Sequence, residues 1–229
     1  MLNGKVVVIS GASSGIGRAA AYACLSHGAK LVLHHIGSEE SCRDVVTMQK
    51  DMSASEVAFV SGDLREQSTA ETIVQIAVDK FGSLDVLVSN AGICQFQDFL
   101  SVSQDMLKTH MDINYVGAFS LIQACAAQMK RQGRGGSIIA ISSISALVGG
   151  GEQCHYTPTK AALLSLMQSC AVALGPYGIR CNAILPGTIQ TAMNEADLQE
   201  PKKRAYMASR CSLRRRKINH NFQSRKSEC

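Results

Sequence analysis

Short apolar runs alternate with longer amphipathic stretches along most of this 229-residue chain. Six of the runs have the length and the Val, Ile and Leu content of buried strands: KVVVIS, KLVLHH, VAFVS, LDVLVS, GSIIAISS and IRCNAIL. Helical patterns separate them, including a long one near 104–131 and another near 154–175. This alternation indicates a parallel sheet covered by helices on both faces. We therefore expect an α/β fold, a doubly wound parallel sheet of six strands around one core.

The positive charge of the chain is confined to its C-terminal end. The formal net charge is +5, but ten Lys or Arg and a single acid follow residue 200, so the first two hundred residues carry a net −4. This distribution argues against a protein that binds nucleic acid over its whole surface. The cluster RRRK at 214–217 has no aromatic or groove-reading element beside it. We interpret it as a solvated run, and a nucleic-acid partner is not expected.

The nine cysteines show neither a C-x-x-C pair nor a metal-ligand spacing, so no metal site is expected. Most of them are interpreted as small buried side chains in a reducing compartment. The N-terminal sequence leads directly into a strand without the pattern of a signal peptide, and no apolar run has membrane-spanning length. These features predict a cytoplasmic protein without a membrane partner.

A glycine-rich turn, SGASSGIG at 10–17, lies directly after the first strand and directly before a helix. Gly11, Gly15 and Gly17 allow the backbone to turn tightly and to approach a pyrophosphate, whose charge would lie at the helix N-terminus. A glycine-rich turn alone is a weak signal, and a plain tight connection is the alternative. The strand before it and the helix after it favour a dinucleotide site.

Four further polar segments are predicted to lie near this turn. GDL at 62–64, SNAG at 89–92 and ISS at 141–143 each follow a predicted strand, and Asn114 lies on the long helix. Each segment alone has a simple explanation as a turn or a cap. Because the carboxyl ends of parallel strands form one edge, which is where open α/β sheets bind ligands, their joint occurrence favours a site.

The segment YTPTK places a phenol and an ammonium four residues apart, on one face of a helix. Pro158 fits only if that helix begins just before it, so that Tyr156 lies at the helix start. A phenol with a pKa of about 10 needs a depression of roughly 2–3 units to accept a proton near neutrality. Lys160 and the positive ring of an oxidised nicotinamide would supply it. The alternative is an amphipathic helix with a solvated lysine.

Together, SGASSGIG, SNAG, Asn114, Ser143, YTPTK and PGTIQT at 186–191 resemble, in order and spacing, the motif set of the short-chain dehydrogenase/reductase family. The resemblance implies a Rossmann-type domain and hydride transfer between a nicotinamide and a carbonyl or hydroxyl carbon. It implies that Tyr156 is the general acid/base, that Lys160 lowers its pKa and holds the ribose, that Ser143 binds the reacting oxygen and that Asn114 organises a relay water. The cofactor would be lined by Gly11, Ser13, Ser14, Gly15, Ile16, Gly17, Asp63, Leu64, Asn90, Ala91, Gly92, Tyr156, Lys160, Pro186, Gly187, Thr188 and Thr191.

Longer segments resemble the fungal L-rhamnose 1-dehydrogenases, which oxidise an aldose at C1 to the lactone. They are GGSIIAISSISALVGG, HYTPTKAALLSLMQS, YGIRCNAILPGTIQTAMNEADL and the SEE after strand two. Partners for the sugar hydroxyls would be Ser143, Ser145, Gln153, His155, Tyr156 and Asn194, although His155 is also interpreted as a structural neighbour of the tyrosine. Two other functions remain open: an NADPH-dependent ketoreductase of secondary metabolism, and a catalytically impaired fragment that acts by association through an exposed edge or its basic tail.

Either NAD or NADP is expected as the cofactor, with NADP slightly favoured. The end of strand two reads LHHIGS and lacks the acid that binds the ribose 2′-hydroxyl in NAD-selective sites. Ser38 is therefore a candidate for contact with a 2′-phosphate. Ser14, however, occupies a position at which many NADP-dependent members of the family have Lys or Arg.

The resemblance ends near Arg210. The remaining sequence, CSLRRRKINHNFQSRKSEC, has no strand pattern and no glycine, whereas the family has a further helix and a seventh strand there. We expect a dehydrogenase domain at 1–211 without that strand and a basic, disordered tail at 212–229, and a shifted reading frame or retained intron is one hypothesis for its origin. Loss of the strand would expose the sixth strand as an apolar edge and reduce stability. Family members are dimers or tetramers, and the oligomeric state here is left open.

Overall fold

The computed structural model describes residues 2–191, 199–202 and 205. The expected substrate residue Asn194 and the tail at 212–229 lie outside the described residues.

Six parallel strands form one sheet in the order β3-β2-β1-β4-β5-β6. The strands are β1 (Val6–Ile9), β2 (Lys30–His35), β3 (Val57–Ser61), β4 (Val86–Ser89), β5 (Gly136–Ile141) and β6 (Ile179–Ile184). The chain runs outward from β1 to β3 and then crosses to β4 on the other side of β1. This reversal opens a crevice at the carboxyl ends of β1 and β4, where doubly wound sheets bind nucleotides. The expected Rossmann-type sheet of six strands is confirmed.

Six α-helices cover the sheet in the described part of the chain. They are α1 (Gly15–Ser26), α2 (Glu39–Asp51), α3 (Gln67–Phe81), α4 (Gln104–Met111), α5 (Ala118–Gln132) and α6 (Thr157–Leu174). The helix expected near 104–131 is a composite, because a π-helical turn at Asp112–Gly117 joins α4 to α5. No helix in the described ranges is both long and apolar enough to cross a membrane.

The core lies on both faces of the sheet, as the apolar strands predict. In β1, Val6 and Val8 belong to one buried cluster, whereas Val7 and Ile9 belong to the cluster on the opposite face. All four side chains are at most 1% exposed. Successive strand residues point to opposite faces, so only a strand covered by helices on both sides has this pattern.

Two boundaries of these elements have distinctive features, the end of α3 and the outer strand β6. Gly82 ends α3 with φ of +76°, a left-handed conformation that favours glycine. Among the described residues, β6 is the edge strand next to β5, and its last residue Ile184 is half exposed.

Candidate active site

The glycine-rich turn has the close backbone approaches that its sequence predicts. Gly11 and Gly15 adopt positive φ angles of +62° and +54°. A Cβ atom on Gly17 would collide with the carbonyl oxygen of Gly11 and with the side-chain amide of Asn90. Glycine is therefore required at three positions, two for conformation and one for space.

Asn90 bonds this turn to the end of β4. Its Nδ2 donates to the carbonyl oxygens of Ser10 and Gly11, at 3.0 Å each. In return, Ser10 Oγ accepts from the backbone N–H groups of Asn90 and Ala91, also at 3.0 Å each. The two walls of the crevice are thus connected by four hydrogen bonds before any ligand binds.

The start of α1 fits an anion. Ser14 precedes the helix in extended conformation, and its side chain makes no capping hydrogen bond, so it does not satisfy the N–H groups of the first helical turn. The segment after β6 reaches the same place, since a Cβ atom on Gly15 would lie 3.4 Å from Thr191 Cγ2. The turn, the helix start and the PGTIQT segment therefore form a cradle into which the phosphates of a dinucleotide fit.

The end of β2 has a different organisation from the one the sequence suggests. His34 is buried, its Nε2 lies 2.9 Å from the carbonyl oxygen of Gly62, and its Nδ1 accepts from the N–H of Gly11 at 3.4 Å. Burial lowers the pKa of this imidazole, so it stays neutral and bridges the glycine turn to the end of β3. Ser38 caps α2 by accepting from the N–H of Ser41 at 3.2 Å. Its role toward a 2′-phosphate stays a prediction.

Asp63 and Leu64 follow β3 at the same edge. Arg65 donates to Asp63 from its backbone N–H and from its guanidinium Nε, each at 2.9 Å, and from its Nη2 at 2.5 Å. This partner holds the pKa of the Asp63 carboxyl below its usual value. Leu64 is buried, and a Cβ atom on Gly117 would lie 2.9 Å from its carbonyl oxygen. That both residues line the cofactor stays a prediction.

The YTPTK segment has the predicted arrangement. Tyr156 is the residue before α6, Pro158 lies in the first helical turn, and Lys160 follows on the same face. Tyr156 and Lys160 are only 8% and 5% exposed. Lys160 Nζ donates to the carbonyl oxygen of Ile141 at 3.0 Å and lies 5.8 Å from the centre of the Tyr156 ring. The lysine is therefore buried at the end of β5, and the alternative of a solvated lysine is wrong.

Burial controls both pKa values. It raises the pKa of Tyr156 to about 12, with a further contribution from the Cys94 thiol, while a hydrogen bond from Ser143 lowers it. It lowers the pKa of Lys160 to about 8. Without a cofactor, burial of the phenolate outweighs the hydrogen bond from Ser143. The depression that Lys160 and an oxidised nicotinamide are expected to supply stays a prediction.

Asn114 lies in the π-helical turn and is completely buried. Its Oδ1 accepts from the N–H of Ile93 at 2.8 Å, and its Nδ2 donates to the carbonyl oxygen of Ile93 at 2.9 Å and to Thr159 Oγ1 at 3.1 Å. A Cβ atom on Gly92 would lie 3.1 Å from Asn114 Oδ1 and 3.4 Å from Lys160 Nζ. The side-chain amide is thus engaged by protein groups next to Lys160, and its role toward a relay water stays a prediction.

The segment 93–97, called here the β4 loop, forms one side of the site. Gln153 Nε2 donates to Cys94 Sγ at 3.3 Å. His155, expected to contact a sugar, is instead 1% exposed, with its Nε2 2.9 Å from the carbonyl oxygen of Gln95. The N–H of Gln95 donates to Nε2 of His110 at 3.3 Å.

Sequence reasoning did not identify Cys94 or His110 as site residues. Cys94 follows SNAG by two positions, so the rule that carboxyl ends of strands bind ligands could have found it. His110 has no such signal, because only the three-dimensional structure brings α4 against the β4 loop. Ser145 lies in the short turn after β5, where its N–H donates to Ser143 Oγ at 3.1 Å.

The sequence matches the family model described as short chain dehydrogenase over residues 5–202. It is 55% identical to an L-rhamnose-1-dehydrogenase of Scheffersomyces stipitis, with 94% of this chain and 84% of that protein covered. It is 52% identical to an L-rhamnose 1-dehydrogenase (NAD(P)(+)) of Azotobacter vinelandii, over 94% of this chain and 85% of that protein.

Solved structures agree on the fold. The crystal structure of levodione reductase superposes with a TM-score of 0.85 at 29% identity and covers 95% of this chain and 87% of that chain. The crystal structure of gox2181 gives a TM-score of 0.88 at 25% identity, with 95% of this chain and 84% of that chain covered. The fold, the site geometry and these relatives agree: the chain belongs to the short-chain dehydrogenase family and is an NAD(P)-dependent oxidoreductase that acts on CH–OH groups.

Proposed function

We propose that this enzyme oxidises an aldose of the L-rhamnose type at C1 to the lactone, with NAD⁺ or NADP⁺ as the hydride acceptor. The observation that carries the proposal is the burial of Tyr156 and Lys160 together beside the glycine-rich cradle, with Ser143 hydrogen-bonded to the tyrosine. The names of the relatives at 55% and 52% identity give the substrate class. They favour sugar oxidation over the ketoreductase and over a fragment that acts only by association.

The chain's own residues supply the proton chemistry. Ser143 Oγ binds the C1 oxygen, and Tyr156 Oη accepts the proton of the C1 hydroxyl as the C1 hydride leaves, so that the carbon loses two electrons and becomes the lactone carbonyl. An oxidised nicotinamide, when bound, would supply the hydride acceptor and a positive ring that favours the phenolate. Lys160, with a pKa of about 8, is mainly protonated at pH 7 and favours the phenolate by the same charge effect.

The remaining residues bind and orient. The phosphates of the dinucleotide would lie in the cradle of Gly11, Gly15 and Thr191, and Ser38 would contact a 2′-phosphate when NADP is bound. Gln153 is the best placed of the sugar partners, since its amide already reaches Cys94 at the side of Tyr156. A cytoplasmic location fits the seven cysteines of the described residues, which form no disulfide with one another.

The test is a comparison of substrates with the purified chain. NADPH or NADH formation is followed with L-rhamnose, with related L-aldoses and with D-glucose, and the product is identified as the lactone by mass spectrometry. We expect L-rhamnose oxidation with either cofactor. A higher kcat/KM for reduction of a ketone by NADPH than for oxidation of any aldose would instead establish the ketoreductase.

Tyr156→Phe tests the assigned chemistry. Removal of the phenol oxygen is expected to lower kcat by about 10²–10⁴-fold, the usual contribution of a general base. Cofactor Kd, measured by calorimetry, should remain within about twofold because the ring still fills its place. If Tyr156→Phe retains most of the wild-type kcat, the phenol is not the proton acceptor.

A further inference from the structure

Two histidines from distant parts of the chain meet beside the catalytic tyrosine. His110 belongs to the last turn of α4, and His155 directly precedes Tyr156. They are 0% and 1% exposed, and their rings lie edge to face with centroids 4.4 Å apart. Buried imidazoles lose the hydrogen bonds of water, so their protein partners indicate what the pair does.

Both rings bond the same residue of the β4 loop. The N–H of Gln95 donates to His110 Nε2 at 3.3 Å, and His155 Nε2 lies 2.9 Å from the carbonyl oxygen of Gln95. These contacts fix the tautomers, because His110 Nδ1 must carry the proton that bonds the carbonyl oxygen of Met106 at 2.8 Å, and His155 Nε2 must carry the proton that bonds Gln95. The pair therefore acts as one acceptor and one donor for a single loop residue.

Burial of His155 costs folding free energy that an apolar side chain at the same position would not cost. Its Nδ1 is buried without a hydrogen-bond partner, so an apolar side chain of similar size would fill the space without an unsatisfied polar atom. The gain is the bond of its other nitrogen to Gln95. Burial also lowers the pKa of His110, which keeps its Nε2 available as an acceptor.

The loop residue held by the histidines lies between two other anchors. Asn114 bonds both backbone groups of Ile93, and the N–H of Gln97 donates to the carbonyl oxygen of Glu152 at 3.0 Å. Cys94 lies between the first anchor and Gln95. Its Sγ accepts from Nε2 of Gln153, and the carbonyl oxygen of Gln153 accepts from the N–H of Tyr156 at 2.9 Å, so a single residue links the thiol to the tyrosine.

We propose that His110 and His155 are positioning residues for the substrate: by fixing Gln95 they hold Cys94, with its partner Gln153, as the wall that faces the sugar beside Tyr156. The proposal rests on the proposed aldose oxidation. It assigns His155 to the support of this wall and not to direct contact with the sugar. The glycine-rich cradle is built from other elements, so the histidines affect sugar binding and leave cofactor binding unchanged.

Two variants at each position test the bonds separately from the volume. In His155→Gln the side-chain amide reaches about as far as Nε2 and can donate to Gln95, whereas in His155→Asn it is one carbon shorter and cannot. His110→Gln and His110→Asn differ in the same way, with the amide oxygen as the acceptor. Met129→Ala, on the buried face of α5, is the matched control for loss of stability.

For both histidines we expect the Asn variant to raise the KM for L-rhamnose at least tenfold, and the Gln variant to stay within threefold of wild type. The cofactor Kd should stay within twofold in all four. Met129→Ala should lower the melting temperature without a change in sugar KM. Equal sugar KM values for wild type, Asn and Gln variants would overturn the proposal and leave the histidines as core filling.

A second readout needs no turnover. The rate at which maleimide alkylates Cys94, followed by mass spectrometry of its peptide, reports how firmly the β4 loop is held. We expect at least a fivefold increase in the two Asn variants and none in the Gln variants or in Met129→Ala. If the wild type oxidises no aldose, the proposed function fails, while this measurement still decides the histidines' role: equal alkylation rates in all variants would overturn it.

Discussion

At the scale of single residues, the site places two ionisable groups where burial opposes the charge that each must carry. Tyr156 has a pKa raised to about 12 and Lys160 one lowered to about 8, and both shifts are caused mainly by desolvation. The protein accepts this cost at two side chains that are less than a tenth exposed. Residues that are poor for stability and well placed for chemistry are characteristic of active sites.

The variant Lys160→Met should make measurable the unfolding free energy that is lost by burying the lysine ammonium. The folded pKa of about 8 lies below the ordinary lysine value of 10.5, so between these pH values the unfolded state binds more protons and the unfolding free energy rises with pH. The rise amounts to about 3 kcal/mol in total. Below pH 8 the wild type lacks this stability. The Met variant carries no such charge, and even after loss of the bond to Ile141, which costs about 1 kcal/mol, it should be more stable at pH 7 by about 2 kcal/mol.

Urea unfolding of both proteins at pH 7 and at pH 9.5 checks this expectation. The advantage of the variant should shrink at the higher pH, because only the wild type gains stability in that window. A constant difference at the two pH values would mean that the ammonium is not penalised by burial. Activity of the variant is expected to be lost.

The identity of these residues could be predicted from the sequence, but their electrostatics could not. YTPTK alone placed Tyr156 at a helix start and Lys160 on the same face, because those are local consequences of spacing. The direction of the pKa shift depends on how deeply the end of β5 covers the pair, which is a tertiary property. His155 shows the same limit, since its neighbour in sequence is catalytic and its own contact is with Gln95, sixty residues away.

At the scale of elements, the glycine-rich turn depends on the close approach of the backbone of α1 to the backbone of the β1–α1 connection. Asn90 bonds two consecutive carbonyls of the β1–α1 connection, and Gly17 is the residue that lets α1 approach them. The sequence predicted the turn and its position between strand and helix. It did not predict the π-helical turn at Asp112–Gly117, because the apolar pattern near 104–131 is continuous and the turn is fixed by the bonds of Asn114 to the β4 loop and α6.

Gly17→Ala is expected to lose both stability and cofactor affinity. The added methyl group would overlap the carbonyl oxygen of Gly11 and the amide of Asn90, and such overpacking costs about 1–3 kcal/mol. The displaced turn should also raise the Kd for NADP⁺ by tenfold or more. Melting curves and calorimetry measure the two effects.

Gly175→Ala is the control for this variant. Its φ is −49° and a Cβ atom there would meet no atom within 4 Å, so neither quantity should change appreciably. If Gly17→Ala behaves like Gly175→Ala, the close approach of α1 to the turn is not needed for binding.

At the scale of the whole molecule, the sheet order makes one edge out of residues far apart in sequence. The polar segments after β1, β3, β4 and β5 share this edge because all the strands are parallel, and the crevice opens where the strand order reverses at β1. Alternation of strands and helices predicted the six strands and their covering layers. The predicted loss of a seventh strand concerns residues outside the described part of the chain and stays a prediction.

Cofactor binding should therefore stabilise the entire domain. At a ligand concentration of about 100 times Kd, a ligand that binds only the folded state adds about 2.7 kcal/mol, which raises the melting temperature of a protein of this size by roughly 5–11 °C. NADP⁺ should give at least the shift of NAD⁺, because the end of β2 has no acid to repel a 2′-phosphate. Thermal melts with each cofactor decide this. A chain without a cooperative transition would contradict a stable domain, and a larger shift with NAD⁺ would contradict the preference.

The β4 loop also sets an order of events during synthesis on the ribosome. The bonds between Ser10 and Asn90 can form once about ninety residues have emerged, but the bond of Gln95 to His155 requires sixty more residues after Gln95 itself. At about 5–20 residues per second this interval lasts roughly 3–12 s. During it the loop lacks the anchors at Glu152 and His155, so Cys94 is not yet held in its final place. His155, which completes the proposed wall of the sugar site, and Tyr156 are encoded by consecutive codons.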